Sequence, residues 1–175
     1  TGLTGGPTFY SKTGINIIGE DPANTIIDGF NNNGMIFSGS SNISVSNLTI
    51  RNAGANLILA QNSESIQFSN CVLDFISVYE VMLSAYNGSY SFNKCTIVSN
   101  KNGAYAFFDY YDLDVSNSIF YGADGLVNGA FTDQNFDTNI FFDVPNQGVV
   151  PDGNNLIEVD PFFCDADNGD YSLAA

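Results

Sequence analysis

The chain has 175 residues, with 19 Asp and Glu against 4 Lys and Arg, so its formal charge is −15. The length fits one domain. The scarcity of basic side chains argues against nucleic acid and anionic membranes as partners, because clustered Lys and Arg bind phosphates. The sequence contains no His, which excludes Ser-His-Asp and Cys-His catalysis and His-ligated metals.

The composition is that of a folded chain rather than a disordered acidic tail. Hydrophobic residues make up 44% and aromatic residues 14%, whereas disordered acidic segments are poor in both. The 23 Asn and 17 Gly residues indicate many tight turns between short apolar strands. Neither a signal peptide nor a membrane-spanning apolar run is evident, so we expect a mature or excised piece of a protein.

Residues 1–13 carry few strand signals and are predicted to form an N-terminal cap. From residue 14 onward an apolar pattern recurs in segments 45–50, 68–73, 92–97 and 115–120, whose starts are 23, 24 and 23 residues apart. A second apolar strand recurs upstream of each of them, at 35–37, 57–59, 81–83 and 104–106. A fixed period of this length is typical of solenoids.

Each repeat is predicted to bend at an Asn. Val45 and Leu48 are both apolar but an odd step apart, so the alternation of a strand must change phase between them. Asn tolerates left-handed backbone angles, and its amide can bond to the same amide one repeat away. The predicted Asn ladder consists of Asn24, Asn47, Asn70, Asn117 and Asn139.

The predicted fold is an all-β, single-stranded parallel β-helix, a β-solenoid of about six to seven coils of 22–24 residues. It forms one domain over 1–175, with regular coils over 14–143 and the last coil and a closing motif over 144–175. An antiparallel sandwich also has short strands, but it gives no reason for identical apolar columns at a constant step.

Cys71 and Cys95 occupy the same predicted core column on consecutive coils. Neighbours in register lie about 5 Å apart at Cα, a distance that a disulfide can span. Buried thiols that stack as small apolar groups are the other interpretation. Among the N-glycosylation motifs, Asn87 in a Gly-containing turn is the first candidate and Asn42 at a strand start is the second.

Two groups of polar residues are candidates for chemistry. Arg51 and Asp74 should lie one above the other, as a surface ion pair or, alternatively, as a base beside an acid. Acids beside aromatic rings, as found in sugar-binding clefts, occur at Asp109, Tyr110, Tyr111 and Asp112. A hydrolase would need two such carboxylates facing each other across the sugar, but Asp112 is expected to point into solvent.

The C-terminal segment 165–170 has the alternating acids and Gly of a calcium loop. The predicted ligands are Asp165, Asp167 and Asp170. The loop lacks the Glu that closes an EF-hand. A terminal turn explains the same residues, so calcium is a possible ligand and no other cofactor is expected.

Segments 14–20 and 25–29 resemble the opening of right-handed parallel β-helix proteins, the pectate-lyase-like superfamily. Segments 159–165 and 168–173 are similar to the closing motif of secreted bacterial β-helix surface proteins of unassigned activity. The resemblance implies a right-handed coil, an extracellular or cell-surface location, and pairing of Cys164 with a Cys beyond residue 175. It says little about function, since this superfamily contains lyases, hydrolases, adhesins and spacers.

The sequence therefore predicts a non-catalytic, adhesin-like structural module on a cell surface. Its partners would be further copies of itself, joined end to end as a filament or side by side, or a surface polysaccharide. The acidic exterior would keep the coil in solution, without membrane insertion. The alternative is a carbohydrate-binding or carbohydrate-active β-helix that uses the residues around Asp109.

Overall fold

A computed structural model describes residues 6–30, 32–75, 81–99, 105–108, 112–123, 125–128, 133–145 and 154–173. The described residues are almost entirely strand and turn. The strands are β1 (Thr8–Tyr10), β2 (Asn16–Ile18), β3 (Ile26–Asp28), β4 (Met35–Ser38), β5 (Ser41–Ser46), β6 (Thr49–Arg51), β7 (Ile58–Ser69), β8 (Val72–Asp74), β9 (Val81–Asn93), β10 (Thr96–Val98), β11 (Tyr105–Phe108), β12 (Asp112–Ser116), β13 (Ile119–Tyr121), β14 (Gly125–Asn128), β15 (Asp133–Asp137), β16 (Ile140–Phe142), β17 (Leu156–Ile157), β18 (Phe163–Asp165) and β19 (Asp170–Leu173).

The strands stack in parallel ladders, one rung for each passage of the chain. The larger sheet contains the ladders β1-β4-β7-β9-β11-β14 and β2-β5-β7-β9-β12-β15, which share the long strands β7 and β9. The second sheet has the order β3-β6-β8-β10-β13-β16-β17. Every pair in these ladders is parallel. The parallel β-solenoid is therefore confirmed, and the antiparallel sandwich is excluded.

The coil is regular in its middle and irregular at both ends. It has about four turns of roughly 23 residues, so the prediction of six to seven such coils was too high. The step between neighbouring rungs is 28 residues from Asn16 to Ser44, 21 from Asp114 to Asn135 and 16 from Asn139 to Asn155. The end rungs stack on the regular ones but do not keep the repeat length.

The solenoid also begins earlier than predicted. Thr8 to Tyr10 form strand β1, which pairs with β4, and Thr13 bridges to Ser41. Residues 8–13 are thus part of the first rung rather than a separate cap. A short 3-10 turn, Ala166–Asn168, joins β18 to β19. In the described ranges, no helix has the length and apolar character needed to cross a membrane.

The core is a stack of aromatic and aliphatic side chains enclosed by the three ladders. Alternation within strands places Ile43 and Val45 inside and Ser44 toward solvent. Phenylalanine rings contact each other from rung to rung, with centroids 5.0 Å apart for Phe68 and Phe92 and 4.9 Å apart for Phe120 and Phe141. The buried rings of this stack are Phe37, Phe68, Phe92, Phe107, Phe120, Phe136 and Phe141. Such ring pairs contribute about 0.5–1.5 kcal/mol each beyond the burial of their area.

Candidate functional site

The predicted bend is present on successive rungs, and most of its residues are Asn. The bend residues have φ of 57° at Asn47, 50° at Asn70, 55° at Lys94, 52° at Asn117 and 60° at Thr138. Asn70 Nδ2 donates to Asn47 Oδ1 at 2.9 Å. The left-handed bend is thus present at Asn47, Asn70 and Asn117, and the bond between Asn47 and Asn70 is the one described bond between stacked bend amides. Lys94 occupies the bend position between Asn70 and Asn117.

The prediction for Asn24 was wrong because residues 20–24 are an insertion. Gly19 is level with Asn47 in the register of the first rung, without a left-handed φ, and its N–H donates to the Ser46 carbonyl at 2.8 Å. A Cβ at Gly19 would lie 2.1 Å from the Asn47 carbonyl oxygen, so only Gly fits there. Asn24 instead donates its backbone and side-chain N–H groups to the Asp21 carboxylate, both at 2.8 Å.

The prediction for Asn139 was wrong by one position. The step from Asn117 to the next bend is shorter than the repeat, so Thr138 takes the left-handed conformation. Asn139 is buried in the neighbouring inward column. Its Oδ1 accepts from the Ser118 N–H at 2.8 Å, and its Nδ2 donates to the Val115 carbonyl at 3.0 Å. The amide thus satisfies backbone groups inside the bend rather than stacking outside it.

Cys71 and Cys95 lie in that same inward column, one rung apart. The residues that follow them, Val72 and Thr96, are in register. Both thiols are buried and free in the structure, and Cys164 is exposed and free. The hydrogen bond with Cys71 and burial raise the pKa of the Cys95 thiol. The disulfide remains a prediction.

Asn42 and Asn87 are both exposed and both have positive φ, 52° and 57°. Asn87 lies within β9 rather than in a turn between strands. Its Nδ2 donates to Asn62 Oδ1 at 3.2 Å, and a glycan on that nitrogen would replace one of its two donor hydrogens. Glycosylation at either site remains a prediction.

A shallow polar groove of about 420 Å³ runs across the outer face of β7, β9, β12 and β15. Its lining consists of Ser65, Gln67, Ser89, Tyr90, Ser91, Asp112, Leu113, Asp114, Asp133 and Asn135. Of the predicted sugar-binding residues, only Asp112 is described, and it lies in this groove. Asp109, Tyr110 and Tyr111 lie outside the described residues.

The polar groove is built by the register of the ladder. Asp112 pairs with Ser89 on one side and Asp133 on the other. Asn135 Nδ2 donates to Asp114 Oδ1 at 3.1 Å across neighbouring rungs. The groove offers hydroxyl, amide and carboxylate groups and is lined by no described basic residue, so it suits hydroxyl-rich ligands rather than anions.

The predicted calcium ligands lie around the C-terminal hairpin of β18 and β19, which is antiparallel. Asp165 accepts from Asn168 Nδ2 at 2.8 Å, and Asp170 accepts from the Ser172 N–H at 3.1 Å. These hydrogen bonds stabilise the turn itself. No group of three or more acidic or Cys side chains able to hold a metal occurs among the described residues. Calcium binding by Asp165, Asp167 and Asp170 stays a prediction.

A second concavity, the hairpin cleft, lies between this hairpin and the outer face of the second sheet. Its volume is about 510 Å³. The Phe163 ring is 5.5 Å from the Tyr121 ring on the sheet and 5.5 Å from the Tyr171 ring on the hairpin. The cleft is lined by Asp21, Pro22, Ala23, Ile26, Thr49, Arg51, Asn70, Val72, Asp74, Thr96, Asn168, Gly169, Asp170, Tyr171 and Ser172. Sequence reasoning missed it because residues far apart in the chain form its walls.

Arg51 lies between two carboxylates of the second sheet, since Asp28, Arg51 and Asp74 are in register on consecutive rungs. Its Nε is 3.7 Å from Asp28 Oδ2, so Asp28, on the rung before Arg51, forms an ion pair with it. Desolvation opposes ionisation of Asp28, but the hydrogen bond from Asn52 and the charge of Arg51 lower its pKa overall. This arrangement is that of a surface ion pair.

A scan against protein-family models, a search of curated proteins and a search of solved structures found no significant match. The parallel ladders define the class of the fold as an all-β parallel β-solenoid. The resemblance to the pectate-lyase-like superfamily and to secreted surface proteins stays a prediction.

Proposed function

We propose that this chain is a non-catalytic structural module of an extracellular surface protein, a stiff segment that spaces or displays what is joined to it. The observation that supports this proposal is the uninterrupted stack of buried rings from Phe37 to Phe141. Each ring packs against a ring of a neighbouring rung. Because such a core is close-packed, bending the coil would open gaps between rings and lose their contacts.

Backbone hydrogen bonds also link the rungs along the axis of the coil. The N–H of Val72 donates to Leu48 at 3.0 Å, that of Thr96 to Cys71 at 2.9 Å, and that of Ile119 to Cys95 at 2.9 Å. These bonds run parallel to the stack and join every rung to the next. Stretching the module therefore requires breaking several hydrogen bonds at once.

Spin labels would test the stiffness directly. Ser44 and Asn135 lie in one outward column, four rungs apart, which corresponds to about 19 Å at the usual spacing of strands. In a Ser44→Cys, Asn135→Cys protein with Cys164→Ser, double electron–electron resonance should give one narrow distance distribution that does not change in 1 M salt. A broad or salt-dependent distribution would contradict the proposal.

End-to-end assembly is part of the same proposal. Strands β1, β2 and β3 are the terminal strands of their ladders in the described residues. Tyr10 in β1, Ile18 in β2 and Phe30 just after β3 are exposed. An unpaired strand edge with apolar side chains can accept a strand of another copy. Sedimentation velocity should show association that Ile18→Lys abolishes; a monomer at every concentration would exclude self-assembly.

Saccharide binding in the polar groove is a second candidate function, favoured by the position of Asp112 in its lining. A glycan array should then show binding that Asp112→Asn removes and that Asp167→Asn, a matched change in the distant hairpin turn, leaves intact. Equal binding by both variants would exclude this function.

A further inference from the structure

Two departures from the regular coil meet at the hairpin cleft. The first is the insertion 20–24, which contributes Asp21, Pro22 and Ala23 to the lining, and the second is the C-terminal hairpin, which contributes residues 168–172. Neither is needed to stack one rung on the next. In repeat proteins, insertions that gather on one face commonly form the binding surface.

The insertion is fixed in place against the sheet. Thr49 Oγ1 donates to the Pro22 carbonyl at 2.6 Å, and the Thr25 N–H donates to the Asp21 carbonyl at 2.9 Å. The two hydrogen bonds from Asn24 hold the Asp21 carboxylate and lower its pKa. One wall of the cleft is therefore an ordered loop with a fixed, ionised carboxylate.

The opposite wall is equally well defined. Tyr171 is half-buried, and its ring meets the Phe163 ring edge to face. The Ser172 side chain and backbone hold the adjacent Asp170 carboxylate and lower its pKa. Burial raises the pKa of the Tyr171 hydroxyl, so the ring stays neutral beside ionised acids.

The charge in the cleft is predominantly negative. Asp21, Asp74 and Asp170 line it, and Arg51 is the basic residue among the described lining. The Arg51 guanidinium also has Asp28 beside it, at 3.7 Å. The protein as a whole carries −15. A concave site with this excess of carboxylates concentrates cations and repels anions.

The floor of the cleft is partly apolar, with Ile26 and Val72 in one column of the sheet. An apolar floor, acidic walls and an aromatic ring are complementary to a cation that carries a short hydrocarbon chain. An ammonium group can approach the face of a Tyr ring to about 6 Å and gain cation–π attraction. The volume of about 510 Å³ lies in the usual range for small-ligand sites.

We propose that the hairpin cleft binds an alkylammonium group, whether of a free amine or of a lysine side chain. The hydrocarbon part lies on Ile26 and Val72, and the ammonium group lies between Asp74, Asp170 and the Tyr171 ring. This site goes beyond the proposed structural function and does not depend on it.

The test is a titration followed by NMR chemical shifts in 150 mM NaCl. The probes are n-butylammonium, the neutral n-butanol, the anionic butyrate, and a capped peptide with one lysine. Saturable shifts of cleft residues are expected with n-butylammonium and not with n-butanol or butyrate. A tighter response to the peptide would identify a lysine side chain as the source, and a tighter response to the amine would identify a free amine.

Matched variants separate the cleft from the general acidity of the protein. Asp170→Asn and Asp74→Asn should each weaken n-butylammonium binding about three- to fivefold, the effect of one partly exposed charge pair. Asp112→Asn removes the same charge in the polar groove and should leave binding unchanged. Thermal melting checks that each variant is folded.

The proposal is overturned if n-butylammonium gives no saturable shift up to about 20 mM, if n-butanol or butyrate binds as tightly, or if Asp112→Asn weakens binding as much as the cleft variants. None of these outcomes affects the spin-label test of stiffness, so the two proposals fail separately.

Discussion

The two outer faces of the coil come from the same repeat but differ in chemistry. One outward column of the larger sheet, in the ladder β2-β5-β7-β9-β12-β15, is polar throughout: Asn16, Ser44, Gln67, Ser91, Asp114 and Asn135. On the second sheet, the outward column next to the charged column of Asp28, Arg51 and Asp74 is apolar or Thr: Ile26, Thr49, Val72, Thr96, Ile119, Ile140 and Leu156. The polar column is well solvated without a covering segment. Burying an apolar column under another segment removes apolar surface from water and lowers the free energy of the fold. The insertion and the hairpin lie over this second face.

The shared core builds the coil, whereas the C-terminal hairpin is an addition on one face of it. The inward columns are mostly apolar on every side, so both faces share one core. The hairpin meets the coil through the rings of Phe163 and Tyr121, and Phe163 also contacts Tyr171 within the hairpin. We therefore expect core substitutions to affect the whole module and hairpin substitutions to affect one face.

The largest effect should come from the core that the two faces share. Phe92→Ala removes a fully buried ring that stacks 5.0 Å from Phe68. The expected loss in the free energy of unfolding is about 3–5 kcal/mol. Urea denaturation measures it, and Ser91→Ala, on the polar face next to it, should change stability by less than about 0.5 kcal/mol. Similar values for the two variants would refute the described core.

A smaller effect should be confined to the second face. Phe163→Ala removes the ring that joins Tyr121 to Tyr171, at an expected cost of about 1–2 kcal/mol. Limited proteolysis should then cut the hairpin while the coil stays intact. The exposed neighbour Phe162 is the control, and Phe162→Ala should leave the hairpin resistant. A hairpin equally resistant in all three proteins would show that these rings do not attach it.

Substitutions at Asn70 distinguish two contributions of the bend to stability, backbone strain and the hydrogen bond between stacked amides. Asn70→Ala loses the hydrogen bond to Asn47. It also loses the polar side chain that lets Asn adopt a φ of 50° while the Cβ stays, so about 1–2 kcal/mol of stability should be lost. Asn70→Gly loses only the hydrogen bond and should cost less. Chemical denaturation of both variants measures the difference. If Gly costs as much as Ala, backbone strain plays no part at this bend.

The smallest effect concerns pH. The hydrogen bond from the Asn154 backbone, together with others, lowers the pKa of Asp137 below its ordinary value of 3.8. A carboxyl whose pKa is lower in the folded state stabilises the fold above its unfolded pKa, and that stability is lost as the pH falls through the folded pKa. Unfolding monitored by circular dichroism should thus show stability falling below about pH 3.8, and Asp137→Asn should reduce the slope. A slope that the substitution leaves unchanged would count against this contribution.

The regular part of the fold could be predicted because strand alternation and a constant step leave one arrangement for columns such as Ile43, Ile66 and Tyr90. The prediction was wrong where the step changes. Asn24 lies in an insertion and Asn139 follows a shortened coil, and a single sequence does not show either change of length. The ring stack was missed because Phe92 and Phe107 come from different columns and meet only inside the core. The hairpin cleft depends on how residues 163–173 fold back, which no local pattern determines.

Single-molecule pulling between the first and last rungs tests the central claim, a stiff stack of coils, most directly. Each coil of roughly 23 residues should release about 80 Å of extended chain, so we predict extension in steps of about this length or whole multiples of it. Smooth lengthening at low force, without such steps, would contradict the account.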